Sequence, residues 1–410
     1  MQNIIYFCIM TAFKRIFRSF LLLSSLPFLT VSNLHAQDIL TEEMSKVDIS
    51  LLTCGPGDQV YSLYGHTAIR IQDQRNGQDL VINYGAFNME KSNFLLNFVF
   101  GKADYEMEII LYPYFESEYA SQGRWVIAQH LSLSPKDKMA ILSAIYKNAE
   151  PQNRIYRYNY FYDNCTTRAR DILLNNLQEE VAELPTSLTP TTYRKMIYQW
   201  TDQHKWTRFG NDLLLGVLSD KIVEDRATQF LPDSLMKRFS KAMITDKISG
   251  TSRLLVDSTY YIIPPLSRSI FNTWDILTPN LVFCLLAVIM AFITFFEFKR
   301  RKIIIGVDAL LLLGTGLCGI ILTIMIFSEQ PTVNINLQIL LLNPLSLLMV
   351  LPVFKSQRKD RFNTYWLYLS GFLILFLIGR TLQHYADGMM ILALILLMRG
   401  YSNYKLLGRR

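Results

Sequence analysis

The sequence has few cysteines and no group of them in a metal-binding pattern. Among 410 residues there are five: Cys8, Cys54, Cys165, Cys284 and Cys318. None of the paired spacings typical of zinc sites occurs. The chain also has no internal repeat, which excludes a repeat architecture, and no low-complexity tract. We therefore predict no metal ion and no cofactor.

Charged residues are also scarce, at 18% of the chain, whereas 50% of the residues are hydrophobic. The mean hydropathy of +0.18 is too high for an ordinary soluble enzyme, and the apolar residues concentrate after residue 270. The net charge of +7 comes largely from short basic runs beside apolar segments. That placement is typical of membrane topology signals rather than of a nucleic-acid-binding surface. We therefore expect a membrane-embedded protein with no nucleic-acid partner.

Residues 1–36 have the pattern of a secretory signal peptide. Lys14, Arg15 and Arg18 precede the apolar run Phe20–Val31, and the small residue Ala36 follows it. A basic region, a short apolar core and a small residue at the cleavage site define such peptides. We predict cleavage after Ala36, with an uncleaved membrane anchor as the alternative.

Residues 37–270 have the pattern of a mixed α+β domain with a helical extension. Several segments alternate apolar and polar residues, as half-buried strands do, and a turn containing Asn76-Gly77 favours a β-hairpin. Ser134-Pro135 is typical of a helix start, and Cys165 begins another helix that we expect to end near Leu177. The predicted strands are Val47–Thr53, Gly65–Ile71, Leu80–Gly85, Phe94–Phe100, Glu106–Tyr112, Arg124–Leu131 and Arg154–Tyr162, and helices are predicted within Thr189–Thr245.

Residues 271–410 contain about five apolar segments, several close to the roughly 20 residues that a spanning helix needs. The loops after the first and third segments and the C-terminus are basic, whereas Ser328–Gln338 and Arg380–Gly388 are nearly neutral. Because basic loops stay in the cytoplasm, we expect both neutral loops and the N-terminal domain to lie outside. The signal peptide predicts the same side. The segments are Ile276–Phe296, Ile303–Phe327, Ile339–Phe354, Tyr365–Ile378 and Met389–Tyr401. We thus predict a multi-pass bacterial inner-membrane protein with a periplasmic N-terminal domain.

Cys165 is the candidate nucleophile. The start of a helix stabilises a thiolate, and its backbone N–H groups are expected to stabilise an oxyanion. His66 is the best candidate to take the thiol proton or to form a thiolate–imidazolium pair. If the hairpin pairs Gln72 with Asp79, Asn83 falls diagonally across from the imidazole on the same face. It could then orient the ring, as in Cys-His-Asn sites.

Plainer interpretations of these residues remain open. A histidine in a strand is usually structural, and in an oxidising compartment Cys165 could form a disulfide with Cys54. Asp163 and Asn164 are most simply helix caps. Arg168 is most simply one half of an i,i+3 ion pair with its neighbour Asp171. As the functional alternative, Asp163, Asn164 and Arg168 bind or support the substrate, with Arg168 facing a lipid phosphate.

Several segments resemble known families. Gly65-His66-Thr67-Ala68 on a strand, followed later by Asn164-Cys165-Thr166 at a helix start, looks like the circularly permuted NlpC/P60 papain-like group. That group includes the lecithin–retinol acyltransferase type. The whole chain more closely resembles the Bacteroidota lipoprotein N-acyltransferase family known as Lnb. The matching segments are Leu52–Gly57, Gly65–Arg70, Asn83–Gly85 and Tyr158–Arg168, followed by a C-terminal multi-span region.

The resemblance implies a permuted papain-like fold and transfer of an acyl chain through a cysteine thioester. The donor would be a phospholipid, and the acceptor would be the N-terminal amine of a lipoprotein's diacylglyceryl-cysteine. The roles of Cys165 and His66 carry over directly, and that of Asn83 less directly. Asn334 and Asn336 lie in the outer loop, where a head group could be held, although no motif assigns them.

Two other functions stay open. A membrane-anchored NlpC/P60-like cysteine peptidase or amidase of cell-wall peptide would use the same Cys-His pair, but a soluble peptide gives no reason for five spans. A membrane-tethered binding protein with a Cys54–Cys165 disulfide would need no chemistry at all. We prefer the acyltransferase, because both of its substrates are anchored in the membrane.

Overall fold

The computed structural model describes residue 39 and residues 41–87, 93–182, 190–247, 249–266 and 276–408. Within these ranges the chain forms a sheet-rich N-terminal domain and a helical C-terminal domain. The predicted signal peptide and the predicted domain boundary at residue 270 lie outside the described residues, so both stay predictions.

The strands of the N-terminal domain form two antiparallel sheets. In the described ranges the strands are β1 (Val47–Cys54), β2 (His66–Asp73), β3 (Gln78–Ala86), β4 (Asp104–Leu111), β5 (Val126–Leu131), β6 (Ile155–Arg157), β7 (Glu180–Ala182), β8 (Met243–Thr245), β9 (Ser252–Leu254) and β10 (Val256–Ile263). The larger sheet has the order β10-β5-β1-β2-β3-β4-β6, and the smaller has the order β7-β8-β9. Strand β2, which begins at His66, therefore lies in the middle of the larger sheet.

Helices cover both faces of the larger sheet. Among the described residues, the helices of the N-terminal domain are α1 (Phe94–Val99), α2 (Tyr112–Ser121), α3 (Pro135–Ala149), α4 (Cys165–Leu174), α5 (Tyr193–Thr201), α6 (Lys205–Leu214) and α7 (Pro232–Phe239). On one face, Ile49, Ile69 and Ile82 belong to the same core as Ile141 of α3 and Leu173 of α4. On the other face, alternate residues of the same strands pack against α2. Each fully buried aliphatic side chain contributes about 1.5–3 kcal/mol, so this core fixes the strands that carry the site.

The hairpin of β2 and β3 has the register that the sequence predicts. Gln72 pairs with Asp79, and Ala68 pairs with Asn83. Because side chains alternate along a strand, Asn83 lies diagonally across from His66 on the same face. The turn residues and the apolar pattern together were sufficient to fix this pairing.

One predicted strand is wrong, and another is predicted too long. Phe94–Phe100 is not a strand but contains helix α1, which begins after Asn93 with a left-handed φ of 66°. The apolar run there does not alternate, and a short run of this kind does not distinguish helix from strand. The predicted strand Arg154–Tyr162 shortens to β6, because the backbones of Asn159 and Asp163 exchange two hydrogen bonds of 2.9 Å across a turn.

The C-terminal domain consists of apolar helices. They are α8 (Pro279–Arg300), α9 (Val307–Ile326), α10 (Pro331–Asn334), α11 (Leu345–Arg358), α12 (Tyr365–Gly379) and α13 (Met389–Leu407). By length and composition, four segments among the described residues can cross a membrane: α8, α9, α13 and Pro331–Arg358, which includes α10 and α11. Helix α12, the predicted fourth segment, has only 15 residues. The predicted fifth segment, by contrast, belongs to the 19-residue helix α13.

A buried ion cluster joins three helices of this domain. Arg399 of α13 forms hydrogen bonds with Glu297 of α8 and Asp308 of α9, and all three side chains are inaccessible to solvent. Inside a membrane such charges are costly unless they are paired. The cluster therefore ties α8, α9 and α13 into one bundle.

The loop predicted to lie outside the membrane packs against the N-terminal domain. The Glu329 N–H donates to the Phe100 carbonyl at 2.9 Å, and the Gly216 N–H donates to the Thr332 carbonyl at 2.7 Å. This contact agrees with both parts lying on the same side of the membrane.

Asn336 of the outer loop is bonded to the N-terminal domain. Its side chain is buried, and its Nδ2 donates to the Leu213 carbonyl at 2.8 Å. Its Oδ1 accepts from the Gln338 N–H and from the Gln383 amide. Asn334 Oδ1 is buried as well and has no hydrogen-bond partner among the described residues. The amide of Asn336 is thus used to hold the outer loop against the N-terminal domain.

Candidate active site

Cys165 is the first residue of helix α4, and Asn164 caps that helix. Asn164 Oδ1 accepts hydrogen bonds from the N–H groups of Thr166 and Thr167, both at 2.9 Å. The Thr167 hydroxyl in turn accepts from the Asn164 N–H at 2.8 Å, which completes a capping box. The Asn164 Nδ2 donates to two further backbone carbonyls. The predicted cap is confirmed, and its amide is fully used in fixing the start of the helix.

His66 lies between Asn83 and Cys165. Its Nε2 is 2.5 Å from Asn83 Oδ1, and because a carbonyl oxygen only accepts, Nε2 carries the hydrogen. The other ring nitrogen, Nδ1, is left for the thiol of Cys165, with which the ring forms a side-chain hydrogen bond. The structure therefore brings together the three residues that the sequence assigned to a Cys-His-Asn site.

The imidazole and the thiol shift each other's pKa toward an ion pair. Burial lowers the pKa of His66, but the charge of Cys165 and hydrogen bonds to Cys165 and Asn83 raise it above its ordinary value. Burial raises the pKa of Cys165, but the charge and hydrogen bond of His66 and a hydrogen bond from the Thr67 backbone lower it below its ordinary value. Both net shifts favour the thiolate–imidazolium pair, which is the reactive form of such sites.

Two glycines allow the strands to approach the site. Gly65 has a φ of +79°, and a Cβ there would lie 2.6 Å from the Cys54 carbonyl oxygen. Gly85 has a φ of +96° and lies at an irregularity in the pairing of β3 with β4. A Cβ on Gly85 would lie 3.6 Å from the Cβ of Cys165. Because glycine adopts these backbone angles at little cost, the two positions bring the backbone close to His66 and Cys165.

Cys54 is a buried free thiol. Neither Cys54 nor Cys165 forms a disulfide in the structure, so the predicted disulfide alternative is not the state observed. Burial raises the pKa of Cys54 to about 12, which keeps the thiol protonated. Its side chain packs with Leu52 and Val126 in the core beside α2. Of these two thiols, Cys165 is the one whose pKa lies below its ordinary value.

The i,i+3 spacing predicted that Arg168 pairs with Asp171, but this is wrong. Arg168 pairs with Asp163 instead. Two hydrogen bonds, of 2.5 and 2.6 Å, join its guanidinium to the Asp163 carboxylate. Asp171 pairs instead with Arg170 at 2.8 Å. Asp163 is therefore an ion-pair partner rather than the helix cap. The guanidinium carbon of Arg168 also lies 4.1 Å from the ring centroid of Tyr156, so the pair is fixed against that ring.

The sequence did not reveal the tyrosines around the thiol. Tyr105, Tyr156 and Tyr158 lie close enough to Cys165 that its charge adds to burial in raising their pKa values. Tyr105 stacks on Tyr158 with ring centroids 4.1 Å apart. Tyr156 and Tyr158 are two residues apart, and this spacing indicates that both lie on one face of a strand. Nothing in the sequence, however, indicated that this face meets the cysteine.

His130 has its own partners away from the Cys165 site. His130 contacts Asp257 and Asp48 through its two ring nitrogens, at 2.8 and 3.1 Å. Across the described ranges, no group of three or more His, Cys, Asp and Glu side chains could hold a metal ion. The groups assembled around Cys165 are thus the ones that the sequence suggested as a nucleophile, a base and its orienting amide.

Two family models match the chain. The Lnb N-terminal periplasmic domain matches residues 39–202, and the Lnb transmembrane domain matches residues 271–410. No curated protein and no solved structure matches it, so the permuted NlpC/P60 papain-like fold stays a prediction. A periplasmic N-terminal domain followed by a membrane domain fits the inner membrane. Because the two matches span most of the chain and name the same family, the chain belongs to the Lnb family.

Proposed function

We propose that this protein transfers an acyl chain from a phospholipid to the N-terminal amine of a diacylglyceryl-cysteine lipoprotein. Membership of the Lnb family favours a membrane enzyme that modifies lipoproteins. The observation that carries the chemistry is the contact of His66 with both Cys165 and Asn83. Acyl transfer needs a nucleophile to accept the chain and an acid–base group to move protons, and these residues supply both.

In the first half-reaction the Cys165 thiolate attacks the carbonyl carbon of a phospholipid ester. A C–S bond forms, and the carbonyl π electrons move onto the oxygen. When this intermediate collapses, the C–O bond to glycerol breaks, and the His66 imidazolium gives its proton to the leaving oxygen. The products are an acyl thioester on Cys165 and a lysophospholipid.

In the second half-reaction the amine of the lipoprotein attacks the thioester. Neutral His66 now takes a proton from the attacking nitrogen. The C–N bond forms, the C–S bond breaks, and Cys165 leaves as the thiolate. Asn83 acts on both halves by holding the Nε2–H, which keeps Nδ1 directed at the reacting atoms.

The position of the site beside the membrane domain supports lipid substrates. Gln330, in the loop after α9, donates to the Tyr158 carbonyl at 3.0 Å, and Tyr158 lies beside Cys165. A backbone hydrogen bond from Glu329 ties the end of α1 to the same loop. The Leu96 side chain on α1 is exposed. Holding donor and acceptor in the same plane as the thiol raises their effective concentrations.

Reconstitution of the full-length protein tests this function directly. Phospholipid vesicles would carry the protein and a diacylglyceryl lipopeptide with a free N-terminal amine, and mass spectrometry would detect the products. We expect N-acylated lipopeptide and lysophospholipid in equal amounts, both lost in Cys165→Ser. The control Cys54→Ala should retain both products. Cleavage of cell-wall peptide without N-acylation would instead favour the peptidase or amidase.

A further inference from the structure

The cap of helix α4 removes backbone donors that the reaction would otherwise use. Acyl transfer develops negative charge on the carbonyl oxygen, and hydrogen-bond donors aimed at that oxygen stabilise it. The N–H groups of Thr166 and Thr167, which the sequence suggested for this task, both donate to Asn164 Oδ1. The Arg168 N–H donates to the Asn164 carbonyl within the helix. The Cys165 N–H is therefore the backbone donor left at this helix start, and a second donor is needed.

Tyr156 presents an unused hydroxyl to the same place. The residue is only 6% exposed, and its hydroxyl has no hydrogen-bond partner among the described residues. A Cβ on Gly85 would lie 3.9 Å from this oxygen and 3.6 Å from the Cβ of Cys165. The hydroxyl and the cysteine side chain thus border one space, which the absence of a side chain at Gly85 keeps open. Leaving a buried hydroxyl unsatisfied is destabilising, so its position suits a partner that arrives with the substrate.

Asp163 and Arg168 fix the ring that carries this hydroxyl. The Arg168 guanidinium lies over the Tyr156 ring and is held there by both oxygens of Asp163. Burial raises the pKa of Tyr156, and the charge of Cys165 raises it further. The hydroxyl therefore keeps its proton and remains a donor while the thiolate is present.

We propose that the Tyr156 hydroxyl donates a hydrogen bond to the carbonyl oxygen of the acyl group under attack by Cys165, with Arg168 and Asp163 as positioning residues. The inference rests on the proposed acyl transfer. During attack the C–S bond forms and the π electrons move to the oxygen that Tyr156 contacts. The tyrosine proton stays on the tyrosine, and the proton for the leaving group still comes from His66. The same contact serves the second half-reaction, where the thioester carbonyl again becomes tetrahedral.

Comparing two reactions of the same thiol tests this role. Full-length protein would be mixed with phospholipid vesicles, and the rate of acyl-adduct formation on Cys165 would be measured by rapid quench and mass spectrometry. In parallel, the rate of Cys165 alkylation by iodoacetamide would be measured, because that displacement develops no oxyanion. Tyr156→Phe keeps the ring and its contact with Arg168 but removes the donor. Loss of one such donor costs about 100-fold or more in rate.

We expect Tyr156→Phe to slow acylation by about 100-fold while the alkylation rate stays close to that of the unsubstituted protein. The control Tyr84→Phe removes a core hydroxyl that already bonds Asn148 at 2.8 Å, and it should leave both rates unchanged. If Tyr156→Phe fails to fold, Arg168→Gln supplies the test. Freeing the ring should slow acylation by about 10-fold, as loss of a supporting contact does, without slowing alkylation.

Equal acylation rates for Tyr156→Phe and the unsubstituted protein would overturn the role. So would an equal loss in both reactions, since the tyrosine would then act through the thiolate. Failure of the unsubstituted protein to form any acyl adduct, with alkylation intact, would instead reject the proposed function and this inference with it.

Discussion

The two free thiols of the N-terminal domain differ because of what surrounds each of them. Cys54 lies in an apolar core, and burial raises its pKa to about 12. Cys165 is buried too, which raises its pKa, but the charge and hydrogen bond of His66 and hydrogen bonds from Thr67 and Thr166 together lower it below its ordinary value. We therefore expect the reactivity of Cys165 to depend on a charge partner, in addition to its place at a helix start.

The pH dependence of Cys165 alkylation should reveal this partner. The imidazolium stabilises the thiolate, so the midpoint of the iodoacetamide rate profile should lie below that of an ordinary thiol. In His66→Gln the midpoint should move to higher pH, because the proton is then harder to remove. Cys54 should stay unmodified in the folded protein. An unchanged midpoint in His66→Gln would show that the imidazole does not set the thiol pKa.

The rate of acylation should also fall at high pH, which gives its pH profile an alkaline limb. His66 must be protonated to release the glyceryl oxygen, so the rate of acylation falls as pH rises through the pKa of His66. Because that pKa is raised, the fall should occur above the ordinary range of histidine. Asn83→Ala removes one of the hydrogen bonds that raise it and should move the fall to lower pH. An alkaline limb that does not move in Asn83→Ala would contradict the orienting role of the amide.

At the scale of elements, the site lies where a strand and a helix begin and a second strand is interrupted. Strand β2 begins at His66, β3 is interrupted at Gly85, and α4 begins at Cys165. The sequence predicted the hairpin register and the Asn164 cap because both follow from local rules. It did not predict the Asp163–Arg168 pair, because the tight turn from Asn159 to Asp163 was not expected, nor the place of Tyr156, since that contact depends on how separate elements pack.

Substitution of Gly65, which precedes His66, should lower both stability and acylation, and Gly77 offers a matched control. Gly65 and Gly77 have similar φ values of +79° and +69°, but only Gly65 has a backbone oxygen close to a would-be Cβ. Substitution by Ala at either site costs about 1–2 kcal/mol for the left-handed backbone. Gly65→Ala should lose more stability than Gly77→Ala because the Cys54 carbonyl must also move. It should also lower acylation, because His66 shifts with the strand.

Denaturant unfolding in detergent would give the free energies of unfolding for both variants, and adduct formation would give the rates. Equal losses of stability in the two variants would show that the close approach at Gly65 is not a constraint.

At the scale of the whole molecule, the periplasmic domain is fixed to the membrane domain through the loop after α9. Composition and charge placed the two domains and predicted which loops lie outside. They did not predict the docking, because Asn336 and Gln338 bond to carbonyls more than a hundred residues away in the chain. For the same reason the sequence did not show that Asn336 is buried in this contact.

The exposed face of α1 should matter only for substrates in the membrane. Leu96 is 56% exposed, on a helix whose end bonds to the outer loop. Leu96→Asp should slow Cys165 acylation from vesicles by about 10-fold, equivalent to ~1.4 kcal/mol, because a carboxylate avoids the lipid surface. Leu96→Met should have little effect, and alkylation should be unchanged in both. Equal acylation rates for the Asp and Met variants would show that the lipid does not approach Cys165 along α1.

The most direct measurement is the mass of the peptide that contains Cys165 after the full-length protein has been incubated with phospholipid without an acceptor. We predict one fatty acyl group on the peptide that contains Cys165, released by hydroxylamine as a thioester and absent in Cys165→Ser. Addition of a diacylglyceryl lipopeptide should discharge it to the amine. Absence of the acyl group from Cys165 before the lipopeptide is added, or N-acylation of the lipopeptide that persists in Cys165→Ser, would contradict the assignment of Cys165 as the acyl carrier.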